Sequence, residues 1–461
     1  MTKARLDGIY LLLLGSLVLI LLSAVLERAA TAPMIDFRDL YYPARCLLQH
    51  GDPYKEGEVM RVYRAEGVYG AMDTAKERTI ATRDAYPPTA FSFTVPFAMM
   101  PWEPARVLWT TLTVAGMILG AYLIWSVGAN YAPVLSGCLI GYLLANSEVQ
   151  VIQGMSAGIV VSLCVVAVWC FFRGRFAAVG IVCLAASLAI KPQDACLVWL
   201  YFLLAGGVYR RRALQTLLAM VVLTLPAVLW VWHVSPNWMQ ELHSNLLAFS
   251  ARGGINDPGP ASSGGHGLAM VISLQAVISV FLDDPRIYNP ASYLICAPLL
   301  LVWAVVTLRS RFSPARGWLA LAAIAALTML PIYHRQYDAK LLLLTVPACA
   351  MLWAEGGVIG WLALLINTAV FVLTGDLPWA ILLGFIRGMH LSTTGLSGEI
   401  LMAAQVFPVP LLVLVMGIFY LWVYVSRSWA PVVAARAESS GEMAIAPAPQ
   451  PRPSTRARVS R

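Results

Sequence analysis

Residues 8–26 read GIYLLLLGSLVLILLSAVL, without a single charged side chain. A helix that crosses the hydrocarbon core of a bilayer needs about 20 mainly apolar residues, so this run is long enough to span a membrane. It is long for the core of a signal peptide. Its only nearby small-residue stretch, ERAATAPM at 27–34, follows a glutamate. The run therefore reads as an uncleaved first transmembrane helix. Similar runs recur along the chain, which is 59% hydrophobic and 12% charged over 461 residues. Soluble proteins carry about 25% charged residues. The composition indicates one polytopic bundle rather than several soluble domains.

Lysine and arginine collect in the cytoplasmic loops of membrane proteins. Here they cluster at Lys3 and Arg5, RGR 173–175, RRR 210–212, RSRFSPAR 309–316, and beyond Arg427. Placing all of these on one side predicts about twelve crossings: 8–27, 86–101, 104–127, 155–172, 176–190, 195–208, 213–233, 290–308, 315–332, 339–354, 356–374 and 398–425. Both termini are then cytoplasmic. Three further apolar stretches, 132–146, 266–282 and 377–392, would upset the charge pattern if they crossed. They are expected as half-helices or interfacial helices around an outward-opening cavity. The division expected is a membrane domain, 1–427, and a disordered cytoplasmic tail, 428–461, rich in Ala, Pro, Ser and Arg.

The loop from Arg28 to Asp84 carries nine basic and nine acidic residues. Its neutrality points to a folded external loop, with a short interfacial helix over RDLYYPARCLLQ, 38–49. The cysteines other than Cys46 sit in or beside apolar runs, and no CxxC or HExxH pattern occurs. Neither a disulfide framework nor a structural zinc site is expected.

Four polar clusters fall on the external side of this topology. They are Asp36, Asp39, Tyr41 and Tyr42; NSEVQVIQG, 146–154; KPQD, 191–194; and YHRQYDAK, 333–340. Charges at membrane depth mark functional sites. Lys191, His334 and Arg335 are donors suited to phosphate oxygens. Asp36 or Asp39 could take a proton from a hydroxyl, and aromatic faces suit sugars or head groups. Asp39 could equally cap a helix starting at Leu40. Together the clusters suggest glycosyl transfer from a lipid phosphate.

At this point the sequence resembles glycosyltransferase family 87 of the GT-C superfamily. DFRDLYYPARCLLQHGDPY, 36–54, is similar to that family's first external loop, and AYPPTAFSFTVPFAMMP, 85–101, to its Tyr-Pro-Pro segment. FRGRFAAVGIVCLAASLAIKPQ, 172–193, and LPIYHRQYDAKLLLL, 330–344, resemble two further segments. The likeness extends over about residues 8–425. The order Gln153–Gly154, where the family often has Gly-Gln, and the Gly- and Pro-rich loop 251–265 depart from the pattern.

The resemblance implies an all-α, GT-C-like integral membrane glycosyltransferase of the plasma membrane. It would move a hexose or pentose, mannose foremost, from a polyprenyl-phosphate sugar to a glycolipid or glycan acceptor on the external face. Inversion is expected, with Asp36 as base and Asp39 as the second choice. Lys191, His334 and Arg335 would hold the donor phosphate. Tyr41, Tyr42, Tyr86, Gln153 and Tyr333 would line the substrate site. No cofactor, metal or nucleic acid is expected, and the chain should act as a monomer. The rival reading is a transporter or flippase of lipid-linked sugars, which would need the phosphate site but no base.

Overall fold

The computed structural model describes the chain apart from residues 1, 31–33, 67–74, 260–270, 389–394, 396, 401–402, 404–407 and 442–461. Among the described residues the architecture is helical, and the isolated β contact is one antiparallel bridge between Val271 and Arg335. Seven helices are long and apolar enough to cross a membrane. They are α1 (Lys3–Ala29), α6 (Trp102–Gly128), α9 (Ser156–Arg173), α12 (Gly207–Val234), α15 (Pro285–Arg309), the segment Gln336–Glu355, and Pro408–Ser428 of the last helix. Five shorter apolar helices stand among them: α7 (Pro133–Ala145), α10 (Ala177–Ile190), α11 (Pro192–Leu204), α16 (Pro314–Leu327) and α18 (Gly357–Leu373). The chain is a multi-pass membrane protein.

The stretch 86–101, expected to cross, does not. It forms a 3-10 turn, Pro88–Ala90, and one helix, α5 (Phe91–Ala98). Eight residues at 1.5 Å each span about 12 Å, against a core of about 30 Å. The stretch 132–146, expected as a half-helix or an interfacial helix, forms the 13-residue helix α7, which lies along α1. Their backbones touch: a Cβ on Gly15 would lie 2.2 Å from the Gly141 carbonyl oxygen, and one on Gly137 2.3 Å from that of Gly8. Glycine permits this approach, as small residues do between membrane helices.

Two hydrogen bonds fix the direction of α6 against α1. Arg106 pairs with Glu27 at 2.7 Å, joining the start of α6 to the end of α1. Arg5 donates to Asn130 at 2.9 Å, joining the start of α1 to the end of α6. The basic clusters gather at one end of the bundle. Arg212 donates to the Phe171 carbonyl, the rings of Tyr209 and Phe312 lie 4.3 Å apart, and Arg427 pairs with Glu355.

The opposite end carries the first loop, folded as α2 (Ile35–Leu48), α3 (Glu56–Ala65) and α4 (Ala75–Thr82). It also carries the short helix α8 (Glu148–Ile152), α13 (Trp238–Ser250) and α14 (Leu274–Phe281). The other two stretches expected as half-helices are described in part. The first contains α14, and the second lies largely within α19 (Asp376–Gly388). The last helix, Pro408–Gly441, runs past residue 427, so the expected tail begins inside a helix; residues 442–461 lie outside the described residues.

Candidate active site

The first turn of α2 has no side-chain cap. Met34 precedes it in the left-handed region, φ 62°. Its N–H donates to Ile152 O at 2.7 Å, and Asp36 N–H donates to Gln153 O at 2.9 Å. The carbonyls at the end of α8 thus satisfy N–H groups that a helix start leaves open. This clamp brings Asp36 beside Gln153. Gly154 completes the turn at φ +68°, and a Cβ there would sit 2.7 Å from Phe37 Cβ. The order Gln-Gly in this chain therefore puts glycine where the backbone requires it.

Asp36, Asp39, Tyr86, Gln153, Lys191, Tyr333 and Arg335 line one cavity of about 470 Å³. Six segments of the chain converge there. Ser156, Gln193, Asn256 and Tyr337 add polar groups, while Ile35, Ile80, Ile190, Leu246 and Phe249 give it an apolar side. Tyr86 and Ser156 share a hydrogen bond of 2.9 Å between hydroxyls. Asp39 caps nothing, because α2 begins at Ile35 rather than Leu40 and leaves it one turn inside. Removal from bulk water raises the Asp36 carboxyl to about 6, although Arg335 and Lys191 pull it down.

The three expected phosphate donors differ. Lys191 is 8% exposed; its ammonium lies 3.1 Å from Asp194 Oδ2 and also pairs with Asp338 Oδ1. Its charge is already balanced. His334 is buried, with Nε2 3.2 Å from Asp194 Oδ1 and Nδ1 3.2 Å from Ile332 O, and it does not line the cavity. Arg335 has no carboxylate partner among the described ion pairs. Its Nε donates to the Tyr333 hydroxyl, its Nη2 to Ile255 O at 2.6 Å and to Asn256 Oδ1 at 3.4 Å. Asp338 Oδ2 accepts the Arg335 N–H at 2.8 Å, so one carboxylate links Lys191 to Arg335.

Tyr41 and Tyr42 are not on the cavity wall. Their rings pack on Trp102 at 5.2 and 5.9 Å, and Tyr41 donates to Met100 O at 2.8 Å. The cluster 146–154 divides. Gln153 reaches the cavity, whereas Glu148 is buried near Lys340, which lies 3.2 Å from Asp376 Oδ1. Sequence reasoning missed Ser156 and Asn256 on the cavity wall, and Asp84 behind Tyr86. Only Asp84 carried a local signal: its Oδ1 accepts the N–H of Tyr86 two residues on, at 2.8 Å, as Asp does in turns.

The sequence model of glycosyltransferase family 87 matches residues 85–332, more than half of the chain. The chain belongs to this family and is a membrane glycosyltransferase. The match begins after Asp36 and Asp39 and ends before His334 and Arg335, so the cavity joins a matched portion to flanking segments. No curated protein and no solved structure matches it.

Proposed function

We propose that the enzyme transfers a hexose or pentose, mannose foremost, from a polyprenyl-phosphate sugar to an acceptor hydroxyl, with inversion and with Asp36 as general base. One observation carries this reading. A carboxyl and an arginine without an acidic partner face one cavity that also has an apolar side. The acceptor oxygen attacks the anomeric carbon as the bond from that carbon to the phosphate oxygen breaks. Asp36 takes the hydroxyl proton. The polyprenyl phosphate departs against Arg335, whose planar fork suits phosphate oxygens. Tyr86, Tyr333 and Gln153 bind the sugar, and Leu246 and Phe249 meet the first isoprene units.

The seven long and five shorter apolar helices together make twelve crossings. The basic end lies in the cytoplasm by the positive-inside rule. The cavity then opens on the external face of the plasma membrane, where the acceptor is a glycolipid or glycan and the enzyme acts as a monomer.

The test uses full-length protein in liposomes with a panel of radiolabelled polyprenyl-phosphate sugars and extracted membrane lipid as acceptor. Wild type transfers one of them, at a rate that falls tenfold per pH unit below about 6 as Asp36 takes up its proton. Asp36→Asn loses about 10²–10⁴-fold in rate. Full activity of Asp36→Asn removes it as base. Donor crossing the bilayer without transfer by wild type would establish a transporter instead.

A further inference from the structure

Lys340 and Asp376 form an ion pair of 3.2 Å and are 4% and 7% exposed, yet neither lines the cavity and neither takes part in the reaction just described. Charges buried in a membrane protein are costly and mark function. Asp376 opens α19 and reaches back to α8. Its Oδ2 accepts the Val149 N–H at 2.9 Å, and its own N–H donates to Asn146 O at 3.3 Å. α8 has no cap of its own, since the Ser147 hydroxyl donates to Leu143 O instead. A carboxylate 227 residues away therefore caps it.

The other oxygen, Oδ1, holds Lys340. Lys340 belongs to the 3-10 segment Gln336–Thr345, which follows Arg335 directly. Its ammonium also donates to Asn146 O at 2.5 Å and to Thr374 O at 3.3 Å. Two supports of the cavity thus meet at one carboxylate. α8 aligns Asp36, because Ile152 O and Gln153 O accept the Met34 and Asp36 N–H groups. The 3-10 segment carries Arg335 as its cap.

We propose that Asp376 is a positioning residue: one oxygen anchors the helix that aligns the base, the other anchors the segment behind the phosphate-binding arginine, and together they fix the spacing of Asp36 and Arg335. The inference rests on reading those two residues as base and phosphate ligand. In a single displacement the acceptor hydroxyl and the leaving phosphate lie on opposite sides of the anomeric carbon, so this spacing governs turnover. A displacement of about 1 Å costs about 10²-fold in such a step. Gln150 and Gln336 add neutral links among the same elements, so loss of the carboxylate shifts the joint without dismantling it.

The test is the double variant Lys340→Met/Asp376→Ala, full-length and in liposomes. It removes both anchors and leaves no charge buried alone. Three quantities are read. Hydrogen exchange of the Met34 and Asp36 amides, resolved by mass spectrometry with electron-transfer fragmentation, needs no donor sugar. It should quicken about tenfold, the worth of one hydrogen bond to a charged group. The maximal rate of sugar transfer should fall about 10²-fold. Binding of radiolabelled polyprenyl phosphate should stay as in wild type, because Arg335 keeps its own neutral partners.

Unchanged exchange overturns the anchoring of α2 through α8. Wild-type turnover overturns the spacing role, and so does a loss of polyprenyl-phosphate binding equal to the loss of transfer, which would make the pair a support of the phosphate site alone. Asp376→Asn keeps the volume and loses one anchor, because the amide has a single acceptor oxygen. If the double variant does not fold, Asp376→Asn decides by the same split between transfer and binding. Asp36→Asn separates the two readings. If it transfers sugar at the wild-type rate, the base assignment fails, and the exchange result still decides whether Asp376 anchors α2.

Discussion

At the scale of the residue, Lys191 and Arg335 share a charge but not a circumstance. The Lys191 ammonium is enclosed by Asp194 and Asp338. Removing one member of a buried ion pair costs about 3–5 kcal/mol, because the partner charge stays buried. Lys191→Ala should therefore damage folding first, and its effect on donor use cannot be read separately. Arg335 is held by neutral acceptors and keeps a charge to offer. A hydrogen bond to a charged group is worth about 1.5–3 kcal/mol, roughly 10–150-fold in affinity. Arg335→Ala should weaken binding of radiolabelled polyprenyl phosphate by that factor, and Arg335→Lys by less. Unchanged binding in Arg335→Ala would remove it from the phosphate site.

At the scale of the element, the cavity depends on helix ends that are closed by other helices. The end of α8 satisfies the start of α2, and Asp36 is aligned by that joint. Behind Arg335 runs a 3-10 segment of ten residues, Gln336–Thr345, which leads straight into α17 (Val346–Glu355). Such runs seldom exceed three or four residues. Here Gln150 donates to Tyr337 O at 2.5 Å, and Gln336 to Gly375 O at 3.0 Å, so neighbouring elements hold it. The α1–α7 contact is the most exacting. Gly15→Val would place a branched side chain where even a Cβ meets backbone. Overpacking costs about 1–3 kcal/mol. Thermal unfolding of purified Gly15→Val should occur at lower temperature, whereas Gly57→Ala, with open space around it, should not move it. Equal midpoints for the two variants would mean that α1 is free to shift.

At the scale of the whole molecule, the cavity and the basic clusters occupy opposite ends of the bundle, and this polarity predicts accessibility. Cysteines placed singly at Lys55 and Arg211, in a chain lacking the exposed Cys138 and Cys196, report the two ends. An impermeant thiol reagent on intact cells should label Lys55→Cys and spare Arg211→Cys. The opposite pattern would put the cavity in the cytoplasm and defeat an external acceptor.

Much of this protein was legible without its fold. Uninterrupted apolar runs have one stable setting, since a backbone in lipid must bond to itself. The basic clusters at 173–175, 210–212 and 309–316 gave a shared end, because that pattern is carried by charge and not by packing. The segments supplying Asp36, Lys191 and Arg335 were also visible, as charges set at the ends of apolar runs. Contact decided the rest. Residues 86–101 and 132–146 are similarly apolar, but four prolines interrupt the first, whereas the second forms one helix against α1 along a glycine seam. Nothing local in the sequence shows that Tyr41 and Tyr42 pack against Trp102. Lys191 and Arg335 differ only through Asp194 and Asp338, which arrive from other turns of the chain. A sequence records which groups are costly to bury, but the partners that offset that cost are chosen by tertiary structure.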